Sequence, residues 1–533
     1  MKKFQFISIL PAVALLFSAC VKDLDRFPEN DSTDKIVYST FEGYKGALAK
    51  VYAGYTLSGN RGPSGKPDII GLEEGSNGDF LRCWFNHQEM PTDEAHCLWN
   101  DPGVPELNSI NFTSDGKFTI GLYDKCLLQI MYANEFLKNA TDGVLQGKGF
   151  TPEQVTEIKA FREEARFLRA FDYWVLIDGF GNPPFVTEND EFGTYPQQIK
   201  RKDLFLYVES ELLDIAKSSW MKAAKTNEYG RADKGAVYAL LARLYLNAEV
   251  YTGTARYSEA ITYSKMVIDA GYSLKSRYED LFLADNNTDN NEVILSINYD
   301  GKRTRTYGGT TFLVNGSSNG DYQDTYKSTL ISYGSSGNWS GYRARKEFTD
   351  KFENGDKRFL FVGEHAAIGD QPSKYPYGLA TYKYRNITSA STVGNPVAGS
   401  DHEFADIDFP LFRLAEMYLI YAEAVARGGT GGTASEAVGY INELRERAFG
   451  NSSKNVANAD AAFILDERAR ELYWECFRRT DLIRYGLFTS GDYLWEWKGG
   501  VQGGRAVDSH FNLYPIPTTD KTANNNLIQN DKY

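Results

Sequence analysis

Cysteine is scarce in this chain. Beyond Cys20 there are only Cys83, Cys97, Cys126 and Cys476 in 533 residues, and none stands at CxxC spacing. That pattern excludes a zinc cage or a disulfide framework as the basis of the fold, and leaves open only a single Cys83 to Cys97 bridge. Basic charge is also short, with 58 Lys and Arg against 71 Asp and Glu and a net charge of -13. Binding driven by counterion release needs a positive surplus, so nucleic acid is excluded as a partner. After Cys20 there is no apolar run of the roughly 20 residues a helix needs to span a bilayer.

The one early apolar run, Phe4 to Ala19, is broken by Pro11 and follows Lys2 and Lys3, the pattern of an export signal. It ends in "SAC", small residues before a cysteine, which matches a lipoprotein signal although Phe17 stands where Leu is usual. Residues 1–19 are then a signal peptide, and Cys20 is acylated and becomes the mature N-terminus. At ~0.8 kcal/mol per buried CH2, several acyl chains anchor a protein without any spanning helix. What the chain has in abundance is aromatic surface: 14% of residues, with 35 Tyr and 8 Trp. Such rings suit half-wet binding surfaces.

Helical periodicity dominates much of the chain. In "REEARFLRAFDYWVLIDGFG", Ala165, Leu168, Phe171 and Val175 recur at steps of three and four, and Gly179 and Gly181 stop the helix. "ADKGAVYALLARLYLNAEVYTGTARYSEAITY" reads as a tetratricopeptide pair. A second pair is formed by "FRLAEMYLIYAEAVAR" and, after "GGTGG", "ASEAVGYINELRERA", with Asp408 and Pro410 expected as N-cap and early helical proline at its start. Weaker helices are expected near 43–56, 121–140 and 203–223. The fold class is therefore all-α dominated, a tetratricopeptide-like helical repeat scaffold covering about 36–274 and 406–490. Between about 275 and 405 it carries a large loop-rich insert with short strands such as "EVILSIN" and "TTFLVNG". Long irregular segments in an ordered protein are often functional. The insert is expected to meet a second loop region, residues 71–107.

Several long motifs carry a resemblance: "EARFLRAFDYWVLIDGFGNPPF", "FPLFRLAEMYLIYAEA", "ILDERARELYWECFRRTDLIRYGLF" and "YPIP". In these the mature chain, 20–533, resembles the SusD/RagB family of bacterial outer-membrane lipoproteins. "NHQEMPTDE", "KRTRTYGGTTFLV" and "YLWEWKGG" are similar to its starch-binding members. The resemblance implies a non-catalytic protein, lipid-anchored in the outer membrane and facing the exterior. Asp23 and Asp25 after the cysteine resemble a surface-export signal. The implied partners are starch, amylopectin, maltooligosaccharides and cyclodextrins, captured and passed to a SusC-like TonB-dependent transporter. The alternatives are an analogous binder of another glucan and a surface glycoside hydrolase.

A sugar ring has an apolar C–H face edged by hydroxyls, so its binder needs flat aromatics and a polar rim. Trp99 in "CLWND", Tyr307 in "TRTYGG" and Trp339 in "GNWSG" lie in polar or glycine-rich loops, and the resemblance implies an aromatic arc there. Arg82, Asn100 and Glu73 are the expected rim; the "LWND" loop is shorter than in starch-binding members, and Glu73 stands where they carry Asp. Trp495 and Trp497 are assigned to packing, and His87 and His96 to polar loops. The acids of "DERARELYWECFRRTD" invite a glycosidase reading, which needs two carboxylates about 5 to 10 Å apart across a cleft. Their spacing beside Arg468, Arg470, Arg478 and Arg479 makes them salt-bridged helix faces instead. No cofactor is required. Asp285, Asn287 and Asp289 occupy the first alternate positions of a calcium loop, where the resemblance also implies a structural calcium, but the next Gly is missing and Ser296 replaces the closing Glu.

Overall fold

Helices make up most of the regular structure, and side-chain caps set where they begin. The computed structural model describes residues 34–533 apart from 61, 64, 192, 319, 330 and 364–377. The signal segment and Cys20 lie outside the described residues. Thr40 accepts the Gly43 N–H to open Phe41–Thr56. Thr151 and Gln154 form a reciprocal capping box, with Pro152 next, to open the longest helix, Pro152–Gly179. Each such cap satisfies N–H groups that the first helical turn leaves unpaired.

The helices expected near 43–56, 121–140 and 203–223 are present as Phe41–Thr56, Lys117–Asn139 and Arg201–Lys217. Lys234–Leu246 packs on Tyr257–Ile268, and Leu414–Ala426 packs on both Tyr257–Ile268 and Ala434–Phe449. This is a tetratricopeptide-like arrangement of paired helices. Small residues at the crossings, such as Ala236, Ala239, Ala260 and Ala415, are fully buried and let the helices approach. Near the middle of the molecule the core is aromatic: Trp84 meets Phe171 edge-on at 5.9 Å and Trp174 at 6.3 Å. Among the described residues no helix is long and apolar enough to cross a membrane.

Two local expectations are corrected. "TTFLVNG" is helical, not a strand, within Gly309–Ser317. A short apolar run has no decisive period, and here burial on all sides, with Phe312 edge-on to Phe85 at 5.7 Å, settles the conformation. Asp408 and Pro410 do not start a helix: Phe409–Arg413 is a strand, antiparallel to Val293–Ile297, and the helix begins at Leu414. Pro410 pairs with Ser296, where the ladder is irregular and a missing N–H is tolerated. Asp408 instead accepts the Tyr299 N–H at 2.8 Å and the Tyr229 hydroxyl at 2.7 Å. "EVILSIN" does form a strand, Val293–Ile297.

Candidate aromatic binding site

The two loop-rich regions meet, and the meeting builds the site. Ala95–Cys97 pairs antiparallel with Tyr342–Ala344, and the Leu98 N–H continues the ladder to the Gly341 carbonyl at 2.8 Å. That pairing sets Trp99 beside Trp339, whose backbone carbonyl accepts the Trp99 indole N–H at 3.1 Å. Gly341 lies under the Trp99 ring, so close that a Cβ there would fall 2.4 Å from it. Tyr307 joins from a third segment, its ring 6.4 Å from that of Trp339 and tilted by 53°. Glu74 fixes it by accepting the Tyr307 N–H at 2.9 Å and the Thr306 hydroxyl at 2.8 Å. Gly75, at φ 71°, leaves no room for a side chain against Tyr307, whose Cβ would stand 2.7 Å from one. The Tyr307 hydroxyl donates to Glu403 at 2.5 Å.

Trp99, Tyr307 and Trp339, expected to form an aromatic arc, are one half-buried cluster drawn from three distant segments. The polar residues expected at its rim divide. Asn100 and Glu73 are exposed, and Glu73 is paired with Lys117 at 2.6 Å. Arg82 is not at the rim: it is buried, with its guanidinium 5.4 Å from the Trp99 ring and 4.7 Å from that of Phe312, donating to the Gly75 carbonyl. Its position suits a support beneath the platform, because a helix that packs on the core turns Arg82 inward. Glu74 was not anticipated, and Trp497, assigned with Trp495 to packing, differs from its neighbour. Trp495 is buried, whereas Trp497 is only half-buried and lines a pocket with Trp99 and Asn100. The glycine pair that follows Trp497 was the available signal.

The acids of "DERARELYWECFRRTD" do form ion pairs, but inside the protein. Glu471 accepts from Arg413 at 2.6 Å, Arg358 at 3.1 Å and Arg447; Glu467 accepts from Arg358 and Arg470, both at 2.6 Å; Glu475 accepts from Arg413 at 2.7 Å and Lys383 at 2.6 Å. Burial opposes their charge, yet the surrounding guanidiniums hold Glu467 and Glu471 down at about 2. A glycosidase acid needs the opposite shift, a carboxyl kept protonated. His87 lies on the Phe80–Glu89 helix, where burial lowers it to about 3, and His96 is in a strand; neither sits in a loop. The four described cysteines are free and buried, which rules out the Cys83 to Cys97 bridge.

The calcium loop does not fit its ion. Asp285 is engaged by the Ser389 N–H and hydroxyl, and the ammonium of Lys275 donates to the carbonyls of Thr288 and Asp289 at 3.2 and 3.1 Å. A cation is already built into that turn, and Asn287 receives only its neighbour's hydroxyl. Among the described residues no group of three or more His, Cys, Asp or Glu is placed to hold a metal.

A rigid helical scaffold that presents a half-wet aromatic surface defines a binding protein. The sequence profile of the SusD family matches residues 282–533. The starch-binding protein SusD of Bacteroides thetaiotaomicron is 35% identical, with the whole of both chains covered. A crystal structure of a SusD superfamily protein from Bacteroides vulgatus superposes with a TM-score of 0.68 at 20% identity, covering 93% of this chain and 99% of that one. Surface glycan-binding protein A of Bacteroides thetaiotaomicron, solved in complex with laminarihexaose, gives 0.66 at 19% identity, covering 92% and 99%. This chain belongs to the SusD family, whose members bind glycans without cleaving them.

Proposed function

We propose that this protein captures starch-type α-glucans at the outer surface of the outer membrane, where acylated Cys20 holds it, and passes them to a SusC-like TonB-dependent transporter. The observation that carries this reading is the convergence of Trp99, Tyr307 and Trp339 at the meeting of the two loop regions. Two rings 6.4 Å apart and tilted by 53° form a bent platform. A helical glucan turns its successive rings and can lie on both, whereas a flat, ribbon-like β-1,4 chain cannot. Amylopectin, maltooligosaccharides and cyclodextrins share that curvature. The 35% identity to a starch-binding relative supports the same choice.

A second reading, a β-1,3-glucan, has one observation in its favour: the structural relative that holds laminarihexaose, itself a curved chain. Isothermal titration of the mature chain with maltoheptaose, β-cyclodextrin, laminarihexaose and cellohexaose separates the two. Tight binding of the first two supports the proposal. A preference for laminarihexaose transfers it to the second reading, and a preference for cellohexaose defeats both. Sustained release of reducing ends from amylopectin would defeat the non-catalytic reading.

A further inference from the structure

Beside the aromatic cluster is a pocket of about 280 Å³, lined by Trp99, Asn100, Pro105, Ser109 and Trp497 among others. It is near the lower end of small-molecule pockets, which run from roughly 300 to 1,000 Å³, and offers room for about one sugar unit. Trp99 belongs to both the cluster and this pocket, so a chain lying on the cluster can run on into it.

The wall opposite is held at some cost. Trp497 sits at φ 68°, a left-handed conformation that a bulky side chain rarely adopts. Residues persist in such conformations only where their surroundings impose them, and they gather at ligand sites. Here the surroundings are explicit. The ammonium of Lys498, next in the chain, donates to the carbonyls of Leu487, Ser490 and Tyr493 at 3.1, 2.7 and 2.8 Å. The buried guanidinium of Arg345 then ties the two walls together. It donates to the carbonyls of Ala95 and Asn108 on the Trp99 side, at 3.2 and 3.4 Å, and to that of Glu496 beside Trp497.

The pocket's polar groups are those a hydroxylated ring requires. Asn100 presents an exposed amide, and the Ser109 hydroxyl, which donates to the Pro105 carbonyl at 2.6 Å, keeps its lone pairs for an incoming donor.

Resting on the glycan-binding reading above, we propose that Trp497 and Trp99 frame an additional subsite. It takes one further sugar unit of a chain already seated on Trp99, Trp339 and Tyr307, so that affinity rises with chain length. The test is the variant Trp497→Gly, which removes the ring and suits the left-handed backbone, titrated with maltotriose and maltoheptaose. Affinity for maltoheptaose should fall about tenfold, equivalent to ~1.4 kcal/mol. Affinity for maltotriose should stay within about twofold of wild type, the short chain being held by the cluster alone, and Trp497→Phe should recover most of the loss. Unchanged maltoheptaose binding by a folded Trp497→Gly variant, or equal loss for both lengths, would overturn the subsite while leaving the glycan reading intact. A wild type that binds neither malto- nor laminari-oligosaccharides would overturn both.

Discussion

Gly341→Ala would test the platform without removing any of its rings. A Cβ at that position would lie 2.4 Å from Cε2 of Trp99 and 2.5 Å from Cζ2, where ordinary contact begins near 3.4 Å. The indole must therefore retreat by about 1 Å. The backbone cannot yield instead, because the Gly341 N–H is bonded to the Gly316 carbonyl and its own carbonyl to the Leu98 N–H, both at 2.8 Å. Nor does alanine strain the chain, since Gly341 is not among the glycines at positive φ. The collision alone sets the effect, and moving the ring endangers its 3.1 Å hydrogen bond to Trp339. Overpacking of this kind costs about 1–3 kcal/mol of stability. In a domain of this size that is a few degrees of melting temperature at most. Displacing one platform should weaken glycan binding by about 1–2 kcal/mol, roughly 5- to 30-fold. Isothermal titration with maltoheptaose, alongside near-ultraviolet circular dichroism, reads both quantities. If the folded variant binds like wild type, Trp99 is not part of the binding surface.

Trp99→Ala, Trp339→Ala and Tyr307→Ala should each weaken amylopectin binding by about 1–3 kcal/mol, and the triple variant should abolish it while remaining folded; affinity electrophoresis and circular dichroism check the pair of outcomes. Glu471→Ala leaves the buried guanidiniums of Arg358, Arg413 and Arg447 without their shared carboxylate and should cost about 3–5 kcal/mol, measured by urea unfolding. Thermal stability should peak at mildly acidic pH. Glu467 and Glu471, despite burial, are held at about 2 by their guanidiniums, so their contribution is present above the ordinary carboxylate range and lost as pH falls towards 2. Asp79 and Asp408 are pushed up by burial to about 6, so theirs is present at low pH and lost as pH rises through 6. Melting curves from pH 3 to 8 that rise steadily to pH 8 would contradict this assignment. Cys20→Ala should abolish palmitate labelling in the native host, and label retained at wild-type level would refute the lipid anchor.

The helical scaffold was legible because its signals are local. In the Pro152–Gly179 helix the 3.6-residue apolar stripe of Ala165, Leu168, Phe171 and Val175 was read from the sequence, and the capping box and N1 proline seen in the structure agree with it. Pro410 and "TTFLVNG" misled for the converse reason. The strand at Phe409–Arg413 exists only because Val293–Ile297, more than a hundred residues away, supplies its partner. No window of sequence contains that pairing. The ionic residues of "DERARELYWECFRRTD" showed the right chemistry and the wrong location: helical spacing reveals that acids and bases are neighbours, but not that Arg358, Arg413 and Arg447 arrive from other elements to bury them.

Residue type singled out the three aromatics, and their arrangement came from pairings no motif encodes. Aromatics in polar loops announce a half-wet surface, since a loop offers little core in which to hide an indole. Whether three such rings stay separate or converge depends on the ladder from Ala95–Cys97 to Tyr342–Ala344, which carries Trp99 to Trp339. Arg82 makes the same point from the other side. As a sequence letter it is a candidate hydrogen-bond donor to sugar hydroxyls, yet the helix that carries it packs on the core and turns its guanidinium beneath Trp99 and against Phe312. There its charge faces the rings of Trp99, Phe118 and Phe312 and the Gly75 carbonyl, so it stiffens the loop beside Tyr307 as well as the Trp99 platform. Rigidity of that kind lowers the ordering cost of binding. That placement beneath the rings is visible only once the packing is known.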